Sequence, residues 1–336
     1  MLLEKLSNLP GVSGSEKAVR EAIVEQLREH GLEWQTDTMG NLLVRKKGRR
    51  SGSRRIMLAA HIDEVGLMVT SIEKSGHLKF RPVGGIDSRV LVSKRVHVGE
   101  EQIPGVIGSK AIHLQKPEER QKPFELDQLY IDIGAKNKEE AEKYVQVGAY
   151  ASFDAVCTPF GDGCLRGKAF DDRAGCAALL ELLLEKDTPP FDAAFTVQEE
   201  VGLRGARVAA YTLQPQYALA VEATAAADTP DTKKERSSTV LSGGPAISFM
   251  DRTLIVHREI FESLVNAAEK AGVPFQFRRF AGGGTDAGAI ALSREGVKAG
   301  VVAVPCRYIH SPCSVLKESD LRHTVSLLRA WLEATA

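Results

Sequence analysis

The 336-residue chain has no excess of either charge, since Lys+Arg and Asp+Glu both count 44. A surface without a net sign argues against nucleic acid or another polyanion as a partner. Long hydrophobic runs are missing too. No apolar stretch approaches the roughly 18–20 residues that cross a bilayer, so no membrane partner is expected. The opening MLLEKLSNLPGVSG carries acid and lacks a basic segment leading into a long apolar core, so no secretory signal is expected there. Cysteine is scarce: the chain has five, an odd number, and none form a CxxC pair. That argues against a disulfide scaffold and fits a reducing, cytoplasmic setting. Cys306 and Cys313 flank His310, but isolated cysteines act mostly as small buried hydrophobes. There is no internal repeat and no low-complexity segment.

What is present is an ordinary globular composition, 43% hydrophobic and 26% charged, in a chain long enough for one large domain and a smaller one. Ser15 is placed to cap a helix over EKAVREAIVEQLREH, where Val19, Ile23 and Leu27 repeat at four-residue spacing and Gly31 supplies a stop. NLLVR (41–45) and the almost wholly apolar RIMLAA (55–60) read as strands, the second covered on both faces. From about Thr70 the texture becomes short β-rich pieces divided by glycines, with one short helix at NKEEAEKYV. After Asp171 strands and helices alternate again through AAFTV, YALAVEA, AGVVAVP and the closing ESDLRHTVSLLRAWLEA. The fold class expected is α/β: a mixed, largely parallel sheet flanked by helices, formed by residues 1–67 and 159–336, with a small β-rich domain inserted at 68–158.

Acids and histidines follow the apolar strands directly. IMLAA runs into His61 and Asp63, AAFTV into Glu199 and Glu200, YALAV into Glu222, and GVVAVP into CRYIHSP with His310. In open α/β sheets ligands collect beyond the carboxyl ends of the strands. Asp171 and Asp172 stand at a helix N-terminus, where Asp172 can cap free amides and leave Asp171 to point elsewhere. Imidazoles and carboxylates together suit zinc, cobalt or manganese. Two ions are the economical reading: His61 and one terminal acid on the first, His310 and another on the second, and a shared Asp171 between them. Asp63 is placed to accept the other ring N–H of His61. The Gly-rich AGGGTDAG lacks the Lys-Ser/Thr of a phosphate loop and reads as a tight turn or a backbone-lined pocket.

As a set, HIDEVG (61–66), GKAFDDRAG (167–175), QEEVGLRG (198–205), GGGTDAGA (282–289) and RYIHSP (307–312) closely resemble the tetrahedral dinuclear metallo-aminopeptidases. That family takes in glutamyl and deblocking aminopeptidases, some once labelled endoglucanases. The resemblance covers nearly the full chain. It implies a zinc-exopeptidase-like fold, with residues 68–158 as a PDZ-like dimerisation insert. It implies two divalent ions per subunit held by His61, Asp171, Glu200, Glu222 and His310, with Asp171 bridging. Glu199 is then the general base that activates a metal-bridging hydroxide, and Asp63 is the partner of His61. Short peptides would be the substrates, and a dodecameric tetrahedral shell the assembly. Glu222 stands where these enzymes often have aspartate, and Cys313-Ser314 where an aliphatic residue and an acid are expected. Arg307 and the loop 224–243 are candidates for a specificity pocket.

The nearest rival is a related di-zinc carboxypeptidase or N-acyl deacylase, because such enzymes often have glutamate at the position of Glu222. A glycosidase would use two carboxylates about 5–10 Å apart and no metal. A non-catalytic binding protein would have no use for the full ligand set.

Overall fold

The computed structural model describes residues 1–46, 54–230, 232, 238–279 and 282–335. Its centre is a mixed sheet of eleven strands. Four strands run parallel, in the order Phe191–Thr196, Ile56–His61, Tyr217–Ala225 and Lys298–Arg307. The expectation of a largely parallel sheet holds only for this core. Leu42–Lys46 and Trp34–Thr36 extend one side antiparallel, and Ser314–Lys317, Cys164–Gly167 and Thr158–Phe160 extend the other antiparallel. The reason is connection length. Lys298–Arg307 returns through a short turn to Ser314–Lys317, and a short turn can only reverse the chain.

Alternation along the central strands explains why both faces are covered. Ile56, Leu58 and Ala60 join the core under the helices Leu2–Ser7, Lys17–Glu29, Phe170–Leu184, Arg258–Ala271 and Glu318–Thr335. Met57 and Ala59 face the other way, against Ala206, Ala209, Ala210 and Ile290 of the helices Arg204–Leu213 and Asp286–Ala291. Neither of these last two helices was anticipated. The apolar stripe of Arg204–Leu213 is built largely of alanine, and GGGTDAGA reads as a turn until Thr285 ends the loop and Asp286 opens a helix.

Two local expectations need adjusting. The first long helix begins at Lys17, not after a Ser15 cap, because Glu16 is turned inward to accept the Gly14 N–H at 2.6 Å. Its stop is as expected: Gly31 takes φ +67° and Leu32 N–H closes onto Leu27 C=O at 2.9 Å. The anticipated helix in NKEEAEKYV shrinks to Lys138–Ala141, capped by the Asn137 side chain.

The β-rich stretch forms a separate closed barrel of six strands, Gly66–Ile72, Leu78–Val83, Tyr130–Asp132, Ile103–Gly108, Arg95–Val98 and Tyr150–Phe153. It has its own core, from Val65 and Leu67 through Phe80, Val96 and Ile131 to Phe153. The chain enters this barrel immediately after the His61-Ile62-Asp63 strand end.

A buried ionic cluster ties the N-terminal residues to that strand end. Lys168 Nζ lies 2.6 and 2.9 Å from the two Glu64 oxygens and donates to Leu9 C=O at 2.7 Å. Glu64 also accepts the Gly11 N–H at 2.9 Å, and Arg173 donates to Leu6 C=O at 2.6 Å. Replacing Glu64 by Gln keeps the shape but leaves Lys168 and Arg173 buried without an anion. The expected destabilisation is about 3–5 kcal/mol in urea unfolding; a change below about 1 kcal/mol would mean that the cluster tolerates a neutral partner.

Candidate metal centre

Two of the parallel strands stop in register and the other two run a few residues further, and this edge of the sheet brings the sequence-predicted residues together. His61 closes its strand opposite Thr196, and Glu222 lies inside the adjacent strand, opposite Ala303. Glu199 and Glu200 follow a turn in which Gln198 takes φ +56°. His310, with φ +56°, sits in the turn after Lys298–Arg307.

Asp171 stands at the geometric centre. One of its oxygens is 3.4 Å from His61 Nε2 and the other 3.5 Å from His310 Nε2. Glu222 Oε2 lies 3.6 Å from His61 Nε2, and Glu200 Oε2 lies 3.4 Å from His310 Nε2. Two sets of ligand atoms, His61–Asp171–Glu222 and Asp171–Glu200–His310, each fall within 4.8 Å. Glu199 is also at hand, its Oε2 4.0 Å from His61 Nε2, and it groups with His61 and Glu200. Neither Cys306, which is buried, nor the exposed Cys313 belongs to these groups.

The expected division of labour between the two aspartates is what the helix start shows. Asp172 accepts the Gly175 N–H at 2.9 Å and the His61 N–H at 3.3 Å, leaving Asp171 free to face the histidines. The two are joined by a cis peptide bond. Gly175 has no alternative here: a Cβ would stand 2.3 Å from Val221 C=O, one residue before Glu222.

Both histidine rings are held from behind at Nδ1, which turns Nε2 toward the acids. His310 Nδ1 is 2.9 Å from Gly85 C=O, two residues past the end of the barrel strand Leu78–Val83. His61 Nδ1 is 3.2 Å from the Asp63 backbone C=O and 3.5 Å from its carboxylate. The Asp63 carboxylate has further work that the sequence did not reveal. It accepts from Ser13 Oγ at 2.6 Å and from the backbone N–H groups of Glu199 at 3.0 Å and Glu200 at 3.2 Å. It therefore orients the histidine and the paired glutamates together.

The charges are out of balance in a way that suits cations. Burial pushes the Glu200 carboxyl up to about 7, with Asp171 adding to the effect and His310 opposing it. Burial also drives Glu199 and Glu222 well above the usual carboxylate range. Burial disfavours charge on the histidines, yet neighbouring carboxylates, Asp171 first, outweigh it: His310 rises to about 9 and His61 also rises. Asp171, flanked by both imidazoles, is held low despite its burial. A cluster whose acids hold protons for want of counter-charge is the chemistry that divalent ions satisfy, and its N/O donor set fits zinc, cobalt or manganese.

A sixth acid, Asp286, escaped the sequence reading. It is buried, its carboxylate accepts from Thr196 Oγ1 at 2.5 Å, its N–H reaches Glu222 Oε1 at 3.3 Å, and burial pushes it to about 6. The Gly-rich motif that contains it was the available signal. Arg307, in contrast, is not a pocket residue, because Asp228 engages its guanidinium at 2.6 and 2.8 Å. Of the loop 224–243, Thr224, Ala225 and Ser238 line a cavity of about 720 Å³ that opens onto the acids. Residues 231 and 233–237 lie outside the described residues.

The chain matches known proteins along almost its whole length. An aminopeptidase from the archaeon Desulfurococcus kamchatkensis is 39% identical, with a TM-score of 0.93 and coverage of 99% of this chain and 96% of that one. TET1 peptidase of Pyrococcus horikoshii, described as assembling into a tetrahedron or a large octahedral shell, is 35% identical with a TM-score of 0.86, covering 98% and 97%. The lysyl aminopeptidase of Pyrococcus furiosus is 31% identical over 99% of this chain and 96% of its own length. The model of the M42 glutamyl aminopeptidase family matches residues 40–327. A strand-end cluster of histidines and acids, set in a fold shared with peptidases from end to end, thus has its place: the chain belongs to the M42 aminopeptidases, hydrolases that act on peptides.

Proposed function

We propose that the chain removes N-terminal residues from short peptides at a centre of two divalent ions, with zinc or cobalt preferred over manganese. The observation that carries this is the pair of Asp171 oxygens, each within 3.5 Å of a different histidine Nε2. His61 and Glu222 would hold one ion, His310 and Glu200 the other, and Asp171 both. When bound, such ions acidify a water and polarise the scissile carbonyl.

The chain's own residues do the rest. Glu199 is the acid left over from the two ligand sets, beside His61 and one-tenth exposed at the cavity wall. It takes the proton from the attacking water and returns it to the departing amine. Asp63 holds the amides of Glu199 and Glu200, so the base and a ligand keep fixed positions relative to His61. Gly84 and Gly85 bring the barrel against this edge: a Cβ on Gly84, which has φ +85°, would stand 3.3 Å from Glu200 Cβ. Residues 68–158 are read as the inserted dimerisation domain and 1–67 with 159–336 as the catalytic domain. A dodecameric shell in the cytoplasm is the assembly favoured by the TET likeness. Among the described residues no helix is long and apolar enough to cross a membrane.

Free-N-terminal peptides compared with their N-acetylated forms test the reading. Hydrolysis confined to the free forms, beginning at the first residue, is expected. Preference for the acetylated forms, or release from the carboxyl end, would favour the deacylase or carboxypeptidase alternative instead.

A further inference from the structure

The match to the family model begins at residue 40, and residues 11–16 lie before it. That segment is nonetheless built into the strand end that carries His61 and Asp63. Glu64 N–H donates to Gly11 C=O at 2.9 Å and Ser13 N–H donates to Glu64 C=O at 3.2 Å, a parallel bridge of Val12 with Glu64. The barrel confines the segment as well. Gly14 takes φ +93°, and a Cβ there would stand 2.4 Å from the Tyr150 hydroxyl. Backbone bonds to the strand end and contact with a barrel strand together fix where its side chains can reach.

Two of those side chains, Ser13 and Glu16, are polar, buried and turned toward groups that support the metal centre. Ser13 Oγ donates to Asp63 Oδ2 at 2.6 Å, and the same oxygen accepts the Glu200 N–H at 3.2 Å. The other oxygen, Oδ1, accepts the Glu199 N–H at 3.0 Å and lies 3.5 Å from His61 Nδ1. Turning this carboxylate would disturb all three residues at once. The Ser13 hydroxyl, anchored by the bridge, resists that turn. Glu16 accepts the Gly14 N–H at 2.6 Å, and the backbone N–H of Gln198 also faces its carboxylate. Gln198 holds φ +56° immediately before Glu199, a conformation that a non-glycine residue keeps only where its surroundings impose it.

We propose that residues 11–16 clamp the metal centre, with Ser13 a positioning residue that fixes Asp63 and, through it, His61, Glu199 and Glu200. The inference rests on the two-ion aminopeptidase reading. It assigns to a segment distant in sequence the task of keeping one ligand of each ion, and the base between them, in fixed relation. Ser13 touches neither ion nor substrate in this role and acts through Asp63 alone.

Ser7 provides the comparison that separates positioning from mere packing. It belongs to the same N-terminal part, is fully buried, and its Oγ donates at 2.6 Å to the backbone C=O of Lys168. Ser7→Ala and Ser13→Ala should lower the melting temperature by similar amounts, since each loses one buried hydroxyl bond. Only Ser13→Ala should lower kcat, by about tenfold at saturating zinc with KM little changed, the lower end of what losing an outer-shell partner costs. Zinc affinity, read without substrate by competition with a chromophoric chelator, should fall about tenfold in Ser13→Ala and stay within about twofold of wild type in Ser7→Ala. If kcat and zinc affinity of Ser13→Ala both stay within about twofold of wild type, the clamp is overturned. Equal losses in the two variants overturn it too, because the effect would then be general loosening. A change in KM alone does the same, since it would place Ser13 in substrate binding. A wild type that releases no N-terminal residue would sink the aminopeptidase reading instead, and the zinc comparison stands apart from that outcome because it needs no substrate.

Discussion

Glu199→Gln is expected to lower kcat by about 10²–10⁴-fold while leaving divalent-ion content unchanged, the loss associated with removing a positioned general base. The two effects separate because the position of Glu199 and its chemistry have different sources. Its backbone is fixed by the N–H bond to Asp63 at 3.0 Å, which the substitution does not touch. The ligand sets around Asp171 do not require it. What glutamine cannot do is accept and return a proton. The proton affinity of the native side chain is raised by burial first, and then by Glu222, Asp286 and Glu200, with His61 opposing. KM should change little, since the loss falls on a transfer made only in the transition state. Near-wild-type turnover in Glu199→Gln, measured at saturating substrate with metal content verified, would remove Glu199 from this role. Loss of metal together with activity would move it into the ligand set instead.

Much of this site was legible because its residues mark the ends of apolar strands. His61, Glu199, Glu200 and Glu222 each follow or end a run that could only be a buried strand, and parallel strands must finish at one edge. Asp171 was legible through its neighbour, since Asp172 was the obvious cap and left one acid unemployed. What escaped were contacts between residues far apart in sequence. Nothing near Arg307 announces that Asp228, 79 positions earlier, neutralises it. Nothing in RPVGG says that the carbonyl of Gly85 will reach His310 across 225 positions. The helix Arg204–Leu213 was missed although its apolar face is well segregated, with Ala206, Ala209, Ala210 and Leu213 on one side in the cluster that holds Ala59 and Ala194, because QEEVGLRG was read only as a strand-end motif. Parallel order was overestimated for a related reason: helices and strands alternate in the sequence, but the flanking strands return by turns too short to cross over.

Stripping divalent ions is expected to lower the melting temperature on the order of 10 °C at about pH 8 and by clearly less at about pH 6. Each ion held at about 1,000 times its dissociation constant adds about 4 kcal/mol, and in chains of this size each kcal/mol is worth about 2 °C. The pH trend follows from the signs of the shifts. Glu200, at about 7, and Asp286, at about 6, hold protons more tightly in the folded chain than unfolded, as do Glu199 and Glu222. Their protonated forms favour folding at low pH, and that contribution disappears as the pH rises through the folded values. His310, raised to about 9, acts in the same sense: its contribution is complete below its unfolded value near 6.5 and lost as the pH passes about 9. Asp171 and Asp63 run oppositely, but their depressed values place their effect in the acid range, below this window. The metal-free chain should therefore weaken steadily between about pH 6 and pH 9. Ions replace those protons, and their affinity rises as the ligands lose them. The gap between loaded and stripped protein must then widen with pH, alongside complete and reversible loss of peptidase activity on chelation. A gap that stays constant or narrows over this range would mean that the cluster does not exchange protons for metal, and activity that survives chelation would turn the site toward metal-free acid–base chemistry.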